Sequence, residues 1–285
     1  MTGVPRVRAR IVVVGDEVLD GFVADENARW LTWRLRSAGI ALDRIAIVPD
    51  DIEAIAAEVR AGLVAPRPSI VLTAGGVGGT HDDVTYEAVA LAVGVPLAIA
   101  PELATPLREP IKWTASTGYR LDAQAVAGMM RIATVPEGSA VRLLHRWLTG
   151  VHFEIDGGPT AKSGTAVIML PGPPGHLRTV VNELVIPEVL GGERSPLAVA
   201  EVPHEYPETV LIGHLGRIRS RHSEVKVGSY PGKPMLVRFV GEPEDVARAA
   251  AELRSVLADI ATDPATAIVR DAWQRSPAWT AAQGR

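Results

Sequence analysis

The stretch from residue 75 to residue 85 combines glycines, acids and threonines in a spacing that suits phosphate chemistry. The apolar run Ile70-Val71-Leu72 precedes it, and a pattern of apolar residues at helical spacing follows it. The sequence therefore predicts a strand, a glycine loop and a helix N-terminus, where backbone N–H groups and the helix dipole attract phosphate. The candidate residues of this loop are Gly75, Gly76, Gly78, Gly79, Thr80, Asp82, Asp83 and Thr85.

Two carboxylates on one loop also provide oxygen ligands of the kind that Mg²⁺ prefers, often together with a bound phosphate. Neither a GxGxxG dinucleotide motif nor a Walker A loop fits, because Gly76-Val77-Gly78 lacks the later glycine and no Gly-Lys-Ser/Thr follows. The alternative is a structural turn in which Asp82 or Asp83 caps the helix. The residues of the loop leave both interpretations open.

Acids also follow two earlier strand-like runs, at Gly15-Asp16-Glu17 and at Val48-Pro49-Asp50. The alternation of strand and helix patterns predicts a doubly wound, mostly parallel α/β sheet, whose ligands bind outside the carboxyl ends of the strands. We therefore expect Glu17, Asp50 and Asp83 to face one pocket. A solvated acid or a helix cap explains each of them equally well when it is taken alone.

A proline-glycine loop, Pro171-Gly172-Pro173, leaves the apolar strand pattern at 165–170 and enters a helix pattern. We expect this rigid loop to form a wall of the same pocket, although a plain connector explains it equally well. The histidines between His145 and His222 are scattered singly, without metal-ligand spacing. The sequence assigns no role to any of them, including His176.

The patterns predict three segments. Residues 1–192 form the large α/β domain, and residues 196–261 form a small α+β domain with the order strand, helix, strand, strand, helix. A stretch rich in glycine and charged residues separates the two. Residues 262–285 are polar and rich in Ala and Pro, and we expect a frayed tail there.

Composition excludes several classes of protein. A chain of 285 residues with 47% hydrophobic content can bury a sizeable core, and the absence of cysteine excludes disulfides, thiolate metal sites and a cysteine nucleophile. The formal net charge of -4, with Lys and Arg spread along the chain, gives no basic stripe for nucleic acid. No signal-peptide pattern and no apolar run of membrane-spanning length is present. We expect a cytoplasmic protein without nucleic-acid or membrane partners.

Several motifs, in order along roughly residues 8 to 190, resemble the molybdopterin-binding-like domain family. They are Gly15-Asp16-Glu17-Val18-Leu19-Asp20-Gly21, Asp25-Glu26-Asn27, Val48-Pro49-Asp50-Asp51, the stretch from Gly75 to Thr85, Pro136-Glu137-Gly138 and Leu170-Pro171-Gly172-Pro173-Pro174. Within the family, the chain most resembles the N-terminal domain of competence/damage-inducible protein A and the similar domain of FAD synthase.

The resemblance implies the three-layer fold of the MoaB and Mog proteins and a pocket for molybdopterin or a nucleotide diphosphate. It implies that Asp50 and Asp83 are catalytic residues that hold a divalent metal (Mg, Mn or Co), and we add Glu17 as a third catalytic candidate. It also implies metal-dependent hydrolysis of a nucleotide diphosphate such as ADP-ribose or FAD, with a non-catalytic pterin- or nucleotide-binding module as the alternative. The expected ligand-binding residues are Gly15, Asp16, Asp25, Asn27, Gly75, Gly76, Gly78, Gly79, Thr80, Asp82, Thr85, Pro171, Gly172 and Pro173.

Two departures from the family pattern change these expectations. The usual Gly-Pro-Thr is Gly78-Gly79-Thr80 here, which we expect to loosen the loop. The usual Asn-Pro-x-Gly-x-Ala-Pro-Gly segment is replaced by the residues around Leu143 to Phe153, so part of the substrate pocket cannot be inferred from the family.

Members of the family are similar in forming dimers or trimers. The region from residue 96 to residue 170 carries many large apolar side chains: Trp113, Met129, Met130, Leu143, Leu144 and Trp147. Such residues are favoured at the desolvated centre of protein contacts, so we expect a homo-oligomer, specifically a dimer. Completion of the domain core explains the same side chains equally well.

Overall fold

The computed structural model describes residues 7–65, 69–144, 148–155, 164–192, 196–232, 234–277 and 279. The chain divides into two compact units, Met1–Pro196 and Leu197–Arg285. Among the described residues, no helix combines the length and apolar character that crossing a bilayer requires.

The first unit is built on strands that alternate with helices along the chain. The described strands are β1 (Arg8–Val14), β2 (Ala41–Val48), β3 (Ser69–Ala74), β4 (Leu97–Ile99), β5 (Thr134–Pro136), β6 (Ala140–Leu144), β7 (Leu148–Ile155) and β8 (Thr165–Leu170). Six of them form one sheet in the order β2-β1-β3-β8-β7-β6, and β4 pairs with β5 in a separate antiparallel ladder. In the large sheet β2, β1, β3 and β8 are parallel, whereas β7 pairs antiparallel with β8 and β6 pairs antiparallel with β7.

Helices cover both faces of this sheet. They are α1 (Asp16–Leu19), α2 (Asn27–Ser37), α3 (Ile52–Leu63), α4 (Thr85–Val93), α5 (Pro101–Ser116), α6 (Ala123–Arg131) and α7 (Pro174–Val180), which continues into a π-helical segment, Val181–Val189.

Alternate residues of β1 enter different hydrophobic cores. Ile11 packs in a core with Leu31 of α2, and Val12 packs in the core on the opposite face with Val59 of α3. Every residue of β3 and of β8 is buried, which explains why these strands are apolar without alternation. The predicted three-layer α/β fold with a mostly parallel sheet is confirmed.

The second unit contains an antiparallel sheet and helices, so the predicted small α+β region is also confirmed. Its strands β9 (Ala198–His204), β10 (Lys226–Tyr230) and β11 (Met235–Gly241) form a sheet in the order β10-β11-β9. Its helices are α8 (Glu208–Arg221), α9 (Pro243–Ala261) and α10 (Pro264–Gln274).

Helix α10 corrects the prediction of a frayed tail over residues 262–285. The Asp263 carboxylate accepts a hydrogen bond from the Ala265 N–H at 2.9 Å, and Pro264 occupies the first turn. Both features are favourable at a helix N-terminus. Trp273 then packs edge-on against Trp279, with ring centroids 6.3 Å apart. Residues 278 and 280–285 of the predicted tail lie outside the described residues.

Candidate functional site

A cavity of about 380 Å³ lies at the carboxyl ends of the parallel strands. The predicted site residues that line it are Gly15, Glu17, Asp25, Asn27, Asp50, Gly75, Gly76, Gly78, Asp82, Asp83, Pro171, Gly172 and Pro173. The structure thus brings the three acidic loops and the proline-glycine loop to one cavity. Asp16, Gly79, Thr80 and Thr85 are not among the lining residues.

The glycine loop needs glycine where it meets β1 and α4. Gly75 and Gly76 have φ angles of +106° and +66°, and a Cβ on Gly75 would lie 2.4 Å from the Val14 carbonyl oxygen. Thr85 fixes the other side of the turn, because its hydroxyl donates to the Gly75 carbonyl at 2.8 Å and its N–H donates to the Gly76 carbonyl at 2.9 Å. Thr85 therefore positions the loop from behind the cavity.

The Asp83 side chain holds the glycine loop together. One carboxylate oxygen accepts a hydrogen bond from the Gly78 N–H at 2.7 Å, and the other accepts from the Thr80 N–H at 2.8 Å and from the Thr80 hydroxyl. Neither Asp82 nor Asp83 caps α4, whose N-cap is Val84 without a side-chain hydrogen bond. The alternative of a structural turn therefore applies in a different form: Asp83 closes the glycine loop instead of capping helix α4.

These bonds also reduce the number of N–H groups that the loop can offer to a phosphate. The N–H groups of Gly78 and Thr80 are bonded to Asp83, and that of Gly75 donates to the Leu170 carbonyl at 3.1 Å. The sequence predicts that backbone N–H groups of this loop bind phosphate, and these three bonds leave fewer of them for that role. Within the described part of the chain, the N–H groups of Gly76 and Val77, two cavity-lining residues, have no hydrogen-bond partner.

Helix α6 supports the loop from outside the cavity. Arg131 donates to the Thr80 carbonyl at 3.0 Å and to the Asp83 carbonyl at 2.8 Å, and it forms an ion pair with Glu87 at 2.8 Å. A Cβ on Gly79 would lie 2.5 Å from the Gly128 carbonyl oxygen, so glycine permits close contact between the loop and the helix. This contact opposes the loosening that the sequence led us to expect at Gly79.

Asp50 also lies on the cavity wall, and it has fewer hydrogen-bond partners than Asp83. It accepts a hydrogen bond from the Asp16 N–H at 2.9 Å. Burial is the main cause that raises its pKa; the Asp16 hydrogen bond opposes this effect, and the negative charges of Asp16, Glu17 and Asp82 add to it. A titratable group with a perturbed pKa in a cavity is typical of a functional site.

The remaining predicted polar residues join the cavity walls to each other. Asn27 donates from its side-chain amide to the Gly172 carbonyl at 2.7 Å, which links the start of α2 to the proline-glycine loop. The Asp25 carboxylate accepts from the N–H groups of Asn27 at 2.9 Å and Ala28 at 3.1 Å. Both side chains therefore set the shape of the cavity.

The cavity is strongly acidic. Its described lining includes six acids, Glu17, Asp25, Glu26, Asp50, Asp82 and Asp83, and its only basic residue is His176. The sequence interpretation missed His176 and Arg131. His176 is the first polar side chain after the proline-glycine loop, which is the signal that could have identified it; no motif marks Arg131.

The oxygen-rich lining suits a hard cation such as Mg²⁺. Within the described ranges, however, no group of three or more His, Cys, Asp or Glu residues is arranged to hold a metal ion. Both oxygens of the Asp83 carboxylate are already occupied by the loop. Asp50 and Asp83, which the resemblance implies hold a divalent metal, are therefore not part of such a group among the described residues.

The fold and the cavity define an α/β protein with a cavity at the strand ends of a doubly wound sheet, where the ligands of such folds bind. The chain matches the model of the family described as probable molybdopterin binding domain over residues 10–191, and it belongs to this family.

Known relatives agree with this assignment. Protein TK1472 of Thermococcus kodakarensis is 30% identical over 242 residues, covering 83% of this chain and 93% of that protein. A CinA-like protein of Thermotoga neapolitana is 32% identical over 227 residues, covering 78% of this chain and 50% of that protein. A crystal structure of the protein CinA, with unknown function, from Thermoplasma acidophilum is 26% identical, covers 62% of this chain and 95% of that chain, and has a TM-score of 0.48. The family match and the CinA-like relative confirm the resemblance to CinA-type molybdopterin-binding-like domains.

Proposed function

We propose that the cavity binds a phosphorylated pterin, such as molybdopterin, or a nucleotide diphosphate. The observation that carries this proposal is the pair of successive N–H groups of Gly76 and Val77, which have no partner among the described residues and belong to cavity-lining residues. Successive backbone N–H groups in such a turn form a concave binding site for anions. The cavity volume of about 380 Å³ falls in the range of small-molecule sites.

A divalent cation is proposed to enter with the phosphate. Six acids line the cavity against one histidine, so a phosphate group without a cation would be repelled. Mg²⁺ is commonly held by one or two carboxylates together with substrate phosphates, which fits a cavity that lacks a complete metal site. Asp50 and Glu17 are the carboxylates that would hold it, because Asp83 is bonded to the loop. A bound cation neutralises phosphate charge and activates water.

Hydrolysis of a nucleotide diphosphate linkage, in ADP-ribose or FAD, is the activity we propose for the bound state. Its support is the acidic cavity with the perturbed carboxyl of Asp50, together with the family to which the chain belongs. A binding module without turnover is the alternative, and the same N–H groups support it. The cytoplasmic location and the lack of nucleic-acid and membrane partners stay predictions.

The test is calorimetry with ADP-ribose, FAD and a phosphorylated pterin, with and without Mg²⁺, Mn²⁺ or Co²⁺, followed by chromatography of the products. We expect saturable heat that depends on the cation, and release of a mononucleotide if the protein is a hydrolase. Heat without product would support the binding module. No heat with any ligand would contradict both forms of the proposal.

A variant pair makes this test specific to the cavity. Asp50→Asn removes a lining carboxylate, and we expect it to abolish the cation-dependent part of the binding. Asp20→Asn removes an exposed carboxylate that is not among the lining residues, and we expect binding to be unchanged. Equal binding by both variants would exclude Asp50 as a cation ligand.

A further inference from the structure

His176 is a histidine on the cavity wall without a partner among the described residues. It lies in the first turn of α7, directly after the proline-glycine loop, and its side chain is exposed. It lines the cavity, and it makes no hydrogen bond or ion pair with any described residue. Its ring nitrogens are therefore available to a ligand.

The arginines near the cavity are engaged elsewhere. Arg178 forms an ion pair with Glu26 at 3.1 Å, and its guanidinium carbon lies 5.9 Å from the centre of the Trp30 ring. On the other side, Arg131 is bonded to backbone carbonyls of the glycine loop and to Glu87. Neither arginine is a lining residue, so His176 is the only described lining side chain that can carry positive charge.

Every other titratable side chain among the described lining residues is acidic: Glu17, Asp25, Glu26, Asp50, Asp82 and Asp83. A protonated imidazole has two N–H donors and no acceptor, so it suits a phosphate oxygen and does not suit a further cation. Hydrogen bonds between a charged donor and an anionic oxygen are about twice as strong as bonds between neutral groups.

We propose that His176 is the phosphate-contacting side chain of this cavity and makes the site select phosphorylated ligands over their phosphate-free counterparts. The inference rests on the proposed function and adds a specificity-determining residue to it. The backbone N–H groups of Gly76 and Val77 do not distinguish one anion from another, whereas His176 is the only side chain on the described wall that can carry positive charge. The cation and His176 therefore share the phosphate charge in an otherwise acidic site.

The experiment measures affinity by calorimetry for two matched pairs of probes: ADP-ribose with adenosine, and FAD with riboflavin, each in the presence of Mg²⁺. His176→Gln removes the charge, His176→Lys keeps a positive charge, and His214→Gln serves as the control. His214 lies on α8 of the other unit, where it bonds to Arg217. Because His176 is exposed, we expect both of its variants to fold, and circular dichroism verifies the folding of all three variants.

We expect His176→Gln to weaken binding of ADP-ribose or FAD by roughly tenfold or more, the typical effect of a charged hydrogen bond, and to leave adenosine and riboflavin unchanged. We expect His176→Lys to restore most of the loss and His214→Gln to bind as the unmodified protein does. Unchanged affinity of His176→Gln for the phosphorylated probe overturns the inference, as does an equal loss for both members of a pair. If the unmodified protein binds no phosphorylated probe, the proposed function itself fails, and the inference fails with it.

Discussion

The charge of the cavity can be tested at Asp50. Burial raises the pKa of this carboxyl in the folded chain, so its ionised form lowers stability at neutral pH, and this cost disappears as the pH falls through the raised pKa. We expect Asp50→Asn to raise the melting temperature by ~1–2 °C at pH 7, because it removes a disfavoured charge at a ligand site. The Asn side chain can still accept the hydrogen bond from Asp16.

Melting curves of the Asp50→Asn variant and of the unmodified protein at pH 7 and at pH 4 provide the measurement. The difference between the two proteins should shrink at pH 4, because the unmodified carboxyl is then increasingly protonated. A lower melting temperature for the variant at pH 7 would show that the Asp50 charge stabilises the fold, contrary to this argument.

Asp83 illustrates why a loss of activity does not by itself identify a catalytic residue. Asp83→Ala leaves the N–H groups of Gly78 and Thr80 without their acceptor, and we expect the free energy of unfolding to fall by about 1–3 kcal/mol. Asp82→Ala leaves those bonds in place and should cost less. Urea unfolding of both variants tests this, and equal stabilities would mean that Asp83 does not hold the loop.

At the scale of elements, the contact between the glycine loop and α6 reverses the usual preference for alanine over glycine inside a helix. Replacing glycine by alanine inside a helix usually stabilises it by about 0.5–1 kcal/mol. In α6, however, a Cβ on Gly128 would lie 2.8 Å from the Gly79 carbonyl oxygen. We therefore expect Gly128→Ala to destabilise the protein by about 1–3 kcal/mol, the usual cost of overpacking.

Gly216 provides the matched control for this substitution. It lies inside α8, and a Cβ there would meet nothing within 4 Å. We expect Gly216→Ala to follow helix propensity and to stabilise the protein slightly. Urea unfolding of the two variants compares them directly, and a gain in stability for Gly128→Ala would exclude the close contact between loop and helix.

The elements and the shared strand edge could be predicted from the sequence because they depend on local patterns. Apolar periodicity gave the strands and helices, and the parallel sheet implied that Glu17, Asp50 and Asp83 lie at one edge. The partners of these residues could not be predicted. Arg131 reaches carbonyls at residues 80 and 83, and that pairing depends on packing between distant segments. Asp83 bonds within its own loop, where the residue types fit a cap, a ligand or a loop closure alike. Helix α10 was missed although Asp263 and Pro264 are recognisable signals of a helix N-terminus.

At the scale of the whole molecule, the apolar side chains of the first unit divide into two groups. Met129 and Met130 are half-buried, so completion of the core accounts for part of them. Trp113, in contrast, is 69% exposed, and Tyr119 is 66% exposed at the end of the same stretch. Trp147 lies outside the described residues. Completion of the core therefore does not explain Trp113, and this exposed side chain still supports the predicted homodimer.

We propose that Trp113 lies in the centre of a dimer contact, where burying its ring removes a large apolar surface from water. Light scattering at micromolar concentration should give a mass about twice that of the 30.2 kDa chain. Trp113→Lys should shift the mass toward one chain, because a lysine charge is costly in a desolvated contact. Ile268→Lys, at a 71% exposed position on α10 of the other unit, should leave the mass unchanged. A mass near 30.2 kDa for the unmodified protein would exclude the dimer, and a dimer that persists in Trp113→Lys would place the contact elsewhere.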